Sequence, residues 1–144
     1  QDIYAVMGGA YSGDVYQNAL FLNPGHGHRW VTLRLEGVNA NKSAIGARIL
    51  IEVETEAGLK RIHQTVSTGG SFGSNSLQQE IGLGRARAIR SVEIRWPGSE
   101  EPQQLGPLEM ERIWRIREGA PPEPIALQVL DFEGRGEHSG SGHG

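Results

Sequence analysis

The chain contains no cysteine and few aromatic residues, and it has no long apolar run. Without cysteine there is no disulfide framework, no thiol nucleophile and no cysteine-ligated zinc or iron–sulfur centre. The longest apolar stretches are only a few residues, far short of the roughly 20 residues that a membrane-spanning helix needs. Basic residues form no cluster and the net charge is −3, so nothing favours nucleic acid or an anionic membrane surface as a partner.

Glycine is abundant, and it separates short segments of alternating polarity. The 144 residues, 37% hydrophobic and 22% charged, are enough for one domain with its own core, and they are too apolar for a disordered chain. The 21 glycines and 7 prolines fall between the short segments, which is typical of an all-β chain.

The clearest of these segments lie on either side of a polar loop. Apolar and polar residues alternate from Val31 to Leu35 and again from Ile49 to Val53, the period of a strand with one dry face. Between them, 37–46 is rich in glycine and asparagine, which tolerate turn geometry. The pattern predicts two strands of one sheet, joined by a loop that returns the chain.

Other segments complete an all-β prediction. Residues 109–119 fit either a strand or a helix, and tryptophan with isoleucine favours the strand. We expect a stiff linker at 120–124 and a flexible tail at 133–144, unless a neighbouring chain orders the tail. The predicted fold is an antiparallel β-sandwich or partly closed barrel of about seven to nine strands. The further predicted strands are 1–9, 15–23, 59–67, 77–83, 88–96 and 125–132.

Three patterns invite a chemical interpretation, and each has a simpler one. The loop 69–75, GGSFGSN, lacks the Gly-Lys-Ser/Thr ending of a phosphate-binding loop, so a surface loop is favoured. Paired acids at 100–101 and at 109 and 111 suggest acid–base catalysis, but charged outer strand faces explain them more simply. A metal site would need histidines to converge, and we favour solvated loop histidines instead. The histidines concerned are His26, His28, His138 and His143.

Asparagine and tryptophan provide the candidate binding residues. Asn41-Lys42-Ser43 has the pattern of a glycosylation sequon. The three tryptophans could form an aromatic platform for a sugar, although core or strand-edge packing explains them more simply. The candidate binding surface comprises Trp30, Asn41, Ser71, Phe72 and Trp114.

Several motifs follow one another in a fixed order: a W-x-T-x-x-L-x-G strand beginning at Trp30, the NKSAIGAR turn, the STGGS loop, a G-L-G and the VEIRWP end. In this order they resemble the ASPIC/UnbV domain, the C-terminal module of cartilage acidic protein and of many exported bacterial proteins. Together they cover about residues 28–116. In such proteins the domain follows FG-GAP/VCBS repeats, which form propeller blades with calcium-binding loops.

The resemblance implies three parts of the chain and a location. Residues 1–22 would be the end of a preceding FG-GAP-like blade or its connector, 23–119 the ASPIC/UnbV-like domain, and 120–144 a proline-rich linker, a strand and a tail. Asp2 would be the last ligand of a calcium loop whose other ligands belong to a propeller before Gln1. No other cofactor is implied. An exported location, periplasmic or at the cell surface, is implied as well.

The leading functional hypothesis is a non-catalytic interaction module, a subunit of a larger cell-surface or membrane-associated assembly. We expect other protein subunits as partners, no nucleic acid, and no membrane span in this chain. A glycan-binding module is the alternative, and it requires an exposed tryptophan beside a polar groove. An enzyme would require a pocket with two convergent carboxylates.

Overall fold

The structure, a computed structural model, describes residues 2–7, 17–70 and 76–126, and these residues contain strands and no helix. Ser71, Phe72, His138 and His143 lie outside the described residues, as does most of the strand expected at 125–132. The strands are β1 (Ile3–Ala5), β2 (Ala19–Phe21), β3 (Arg29–Glu36), β4 (Arg48–Thr55), β5 (Gly58–Thr65), β6 (Gln79–Gly84), β7 (Ala88–Arg95), β8 (Gln103–Leu105), β9 (Ile113–Arg117) and β10 (Glu123–Ile125).

Eight of these strands form two four-stranded sheets that share one core. The β3 sheet has the order β10-β9-β3-β6 and the β4 sheet the order β5-β4-β7-β8, while β1 and β2 form a separate hairpin. Val31, Leu33 and Ile116 of the β3 sheet are fully buried in one cluster with Ile51 and Val92 of the β4 sheet. The described strands do not close into a barrel, so the prediction of an all-β sandwich is confirmed.

The prediction that the strands around the polar loop share one sheet is wrong. β3 pairs with β6 and β9, whereas β4 pairs with β5 and β7. The loop between them therefore crosses from one sheet to the other. Alternating polarity cannot show whether two strands lie in the same sheet or in two facing sheets. In both arrangements each strand buries one face and shows a period of two residues.

Pairing is not antiparallel throughout, because β3 and β9 run parallel, with Leu33 opposite Trp114 and Leu35 opposite Ile116. The other strand pairs are antiparallel. The strand at 109–119 is confirmed as β9. Parallel pairing requires a long connection, and the chain makes it through the whole β4 sheet.

Two further details were not expected. Val92 and Ile94 of β7 and Trp96 just after it are buried as predicted, but Ile89 is also buried, out of phase with them. A bulge opposite Glu52 and Val53 supplies the extra residue that permits this.

At the other end of the chain, β10 begins within the proline-rich stretch, and Pro124 lies on an edge strand, where its missing N–H is tolerated.

The shared core predicts how stability depends on β4. Ile51 is fully buried at the centre of the β4 sheet, so Ile51→Ala should lower the free energy of unfolding by about 2–5 kcal/mol. The control Leu59→Ala, at a side chain 65% exposed, should change it by less than about 0.5 kcal/mol. Urea unfolding followed by tryptophan fluorescence measures both. Equal effects would contradict a core located between the sheets.

Candidate functional site

The loop of residues 37–47, here called the crossing loop, is held in place by a set of side-chain and backbone hydrogen bonds. Glu118, just after β9, accepts three hydrogen bonds in its Oε2, from the backbone N–H groups of Val38 (2.7 Å), Asn39 (2.8 Å) and Ala40 (2.9 Å). Its own N–H donates to the carbonyl of Glu36. Three consecutive N–H groups that converge on one point form an anion-binding nest, and a carboxylate of the same chain fills it.

This arrangement sets the charge state of Glu118. The backbone hydrogen bonds, from Ala40 first and then from Val38, hold the pKa of the Glu118 carboxyl below its ordinary value of 4.5. Partial burial acts in the opposite direction and is outweighed, because the donors stabilise the ionised form directly. The carboxylate is therefore ionised at neutral pH and is engaged in holding the loop.

Asn41 closes the second half of the crossing loop. Its Oδ1 accepts from the N–H of Ile45 and its Nδ2 donates to the carbonyl of the same residue, both at 2.8 Å. The turn between them includes Ala44, which is fully buried and has a φ of 54°. Asn41 is thus a local clamp. Its role as a glycosylation acceptor stays a prediction.

Glycine is required where the crossing loop begins. Gly37 donates its N–H to the carbonyl of Lys42, and a Cβ at this position would clash with the carbonyl oxygen of Asn41. At the far end, Gly46 donates to the carbonyl of Val66, just beyond β5. The far end of the loop is therefore bonded to the chain just after β5, while its beginning is held by Glu118 beside β9.

A second polar side chain joins the sheets nearby. The Oε1 of Gln103, on β8, accepts from Trp96 Nε1 at 2.8 Å and from the N–H of Gly119 at 3.0 Å. Its Nε2 donates to the carbonyl of Ala120 at 2.8 Å. Gln103 thus fixes the end of β7 to the turn after β9, and it satisfies the indole N–H of the buried Trp96.

The structure does not bring the predicted binding residues together. Trp30 lies at the start of β3 on the outer face of its sheet, whereas Trp114 points inward on β9 and donates from Nε1 to the carbonyl of Glu109. Asn41 lies beyond the opposite end of β3, about 25 Å along the strand from Trp30 by the usual rise per residue. These residues form no single site.

Acidic residues line an open cleft of about 610 Å³ beside the start of β9, but each is paired. Glu109 forms an ion pair with Arg112, and Glu111 with Arg29. Arg29 Nε lies 2.6 Å from Glu111 Oε1 with its N–H directed elsewhere, so this contact is ionic rather than a directed hydrogen bond. The two glutamates are 68% and 48% exposed, without the dry surroundings that a general acid requires.

Metal ligands do not converge in residues 2–7, 17–70 and 76–126, where no group of three His, Asp or Glu side chains could hold an ion. His26 and His28 belong to an exposed loop. Asp2 accepts a hydrogen bond in Oδ1 from the N–H of Asn23 at 2.7 Å, which ties β1 to the chain after β2. Its role as a residual calcium ligand stays a prediction.

Sequence reasoning missed Glu118 and Gln103. Each lies at a strand end among other polar residues, and its importance comes from partners that are distant in sequence, such as Val38 for Glu118. No local pattern carries this information. The glycine and asparagine content of the crossing loop was the only signal in this region.

Fold and loop together define a small β-sandwich domain whose sheets are connected by a crossing loop and two polar side chains. The model of one protein family, described as ASPIC and UnbV, matches residues 37–123. The match covers more than half of the chain, from the start of the crossing loop to β10. The chain therefore belongs to the ASPIC and UnbV family, as the sequence motifs indicated. No curated protein matches it.

The Glu118 contacts predict a pH-dependent contribution to stability. Since the pKa of Glu118 is lowered in the folded state, its contribution is complete above about pH 4.5 and is lost as the pH falls further, through the folded-state pKa. Glu118→Gln should lower the free energy of unfolding by about 1–2 kcal/mol at pH 7. This difference should shrink as the pH is lowered through the folded-state pKa of Glu118.

Chemical unfolding at several pH values measures the effect. The control is Glu123→Gln, since that carboxylate is 68% exposed and lies 3.9 Å from Arg115. This variant should change stability by less than about 0.5 kcal/mol. A difference for Glu118→Gln that stays constant with pH would rule out the charged nest.

Proposed function

We propose that this ASPIC/UnbV domain is a non-catalytic interaction module of an exported protein and a subunit of a larger cell-surface or membrane-associated assembly. The observation that carries the proposal is the N-terminal hairpin of β1 and β2, which presents large apolar side chains to solvent. Export is proposed from the resemblance to exported members of the family. Within the described part of the chain, no helix is long and apolar enough to cross a membrane.

Both faces of the hairpin are apolar. Ile3 is paired with Phe21, and Tyr4 with Leu20, so the two pairs lie on opposite faces. All four side chains are about 60% exposed or more. A two-stranded hairpin is marginally stable alone, and one face would suffice to pack it on its own domain. A hairpin that is apolar on both faces suits a position between two layers of another β unit.

The FG-GAP-like blade implied by the resemblance would provide such a position. The hairpin is bonded within itself by Asn18, whose side chain contacts the Tyr4 hydroxyl and the N–H of Met7. It therefore has a defined shape to offer to a neighbour. Contiguous exposed apolar surface of this kind commonly marks a contact with another protein unit.

A non-catalytic role fits the way in which the acidic side chains are used. Several strand glutamates pair with arginines, as in Glu52 with Arg61 and Glu54 with Arg90. Glu118, whose pKa is lowered, is committed to the crossing loop. These contacts organise the domain itself.

Native mass spectrometry with peptide mapping, on the particle purified from its source, tests the proposal. We expect the chain in covalent or tight association with further β units or subunits. In the expressed complete protein, Phe21→Asp should weaken the non-covalent part of this association at least about tenfold, because a charge would be buried in the contact.

The matched control is Ile45→Asp, at an exposed apolar residue of the crossing loop and outside the hairpin, and it should leave the association unchanged. A free monomer of 15.7 kDa would overturn the proposal.

Glycan binding is the second candidate, and one observation favours it. Trp30 is 36% exposed and lies opposite Gly82, where even an added Cβ would have no neighbour within 4 Å. Because no side chain fills the space at Gly82, the indole of Trp30 leaves room for a sugar ring to stack on it. Trp96 is buried and Trp114 half-buried, so the platform would depend on Trp30 alone.

The glycan candidate predicts a specific loss. A sugar that binds on a glycan array should lose about tenfold in affinity with Trp30→Ala, because aromatic stacking contributes up to about 1.5 kcal/mol and about 1.4 kcal/mol corresponds to tenfold. Trp114→Phe, on the inner face, should bind normally. If both variants bind as the parent does, or if no glycan binds, this candidate is eliminated.

A further inference from the structure

The β4 sheet has one long edge that is not covered by the described residues. Of the edge strands, β8 and β10 have three residues each, β10 contains Pro124, and β6 ends in glycine. β5 has eight residues, seven of them exposed, and contains no proline. Short strands and proline are two of the usual means of blocking strand addition, and β5 has neither of them. A third means is an inward-pointing charge, which β5 carries in Lys60, so this edge can accept only a strand that compensates that charge.

The free backbone groups of β5 can be assigned from its pairing with β4. The two strands are joined by a two-residue turn between Thr55 and Gly58, and beyond them Val66 donates its N–H to Ala47. In an antiparallel pair, alternate residues bond to the partner. The even-numbered residues from Gly58 to Gln64 therefore face β4. The backbone groups of Leu59, Arg61, His63 and Thr65 face outward.

Charge makes this edge selective. β5 carries Lys60 and Arg61 and no acidic residue, in a chain whose net charge is −3. Arg61 is paired with Glu52 at 3.2 Å, but Lys60 makes no ion pair within the described residues. Its side chain lies on the inner side of the strand, opposite Val53, and it is exposed at the rim of the sandwich.

The two basic residues of β5, Lys60 and Arg61, reject two kinds of strand. An apolar strand would bury the ammonium group without a partner, which is costly. A second copy of β5 would bring Arg61 against Arg61 in the central antiparallel register, where like charges repel. A strand with carboxylates avoids both costs and neutralises Lys60.

We propose that the outer edge of β5 binds an extended acidic segment of a partner protein by strand addition to the β4 sheet. The inference rests on the proposed interaction function and names the surface and the chemistry of the partner. Backbone hydrogen bonds from the four outward residues supply the binding energy, and Lys60 supplies the selectivity.

Hydrogen exchange by NMR on the 144-residue chain tests the proposal with a capped peptide of about eight alternating threonine and glutamate residues. At saturation, the amides of Leu59, Arg61, His63 and Thr65 should exchange at least about tenfold more slowly. The even-numbered amides of β5 should change little, because they are already bonded to β4. A peptide with lysine in place of glutamate should bind at least about tenfold more weakly.

The two lysines of the chain provide matched variants. Lys60→Glu should weaken binding of the glutamate peptide at least about tenfold, whereas Lys42→Glu, in the crossing loop and with the same change of net charge, should change it less than about twofold.

The proposal is overturned if no binding occurs at millimolar peptide or if the two peptides bind equally well. It is also overturned if the slowed amides are not those of the odd-numbered residues of β5. Its failure is separable from that of the proposed function. A chain that is found in an assembly but keeps unaltered exchange in β5 would contradict strand addition alone.

Discussion

The passage of the chain from β3 to β4 is the constraint on which the rest of the domain depends. These strands belong to different sheets, so the segment between them has to cross the end of the sandwich with its backbone polar groups satisfied. Glu118 satisfies three consecutive N–H groups, and Asn41 closes the turn that follows. With the crossing held in this way, the alternating residues of both strands meet in one core.

Polar side chains at the same end of the sandwich extend this arrangement. Gln103 connects β8 to the turn after β9, and β9 in turn lies parallel to β3. The domain is thus stabilised by an apolar core and by specific hydrogen bonds at its end. The surfaces left for function lie elsewhere, on the N-terminal hairpin, on the outer face around Trp30 and along β5. All three suit binding, which agrees with the proposal of an interaction module.

Much of the fold could be predicted from sequence. Alternation identified β3, β4 and β7, and it favoured a strand over a helix for β9, because each of these strands buries one face. The family resemblance came from motifs in a fixed order and is confirmed by the family match. Short strands were harder. β8 was missed, since three residues, of which Leu105 alone is buried, show no period.

The sequence by itself therefore determined the all-β class, the inward face of the long strands and the family. Only the tertiary structure decided which strands are neighbours, that β3 and β9 run parallel, and that Glu118 holds the crossing loop. The physical reason is the range of the interactions. Alternation reflects burial, which acts on each strand separately. The pairing of β3 with β9 and the Glu118 contacts instead join residues about 80 positions apart, and no local pattern records such distances.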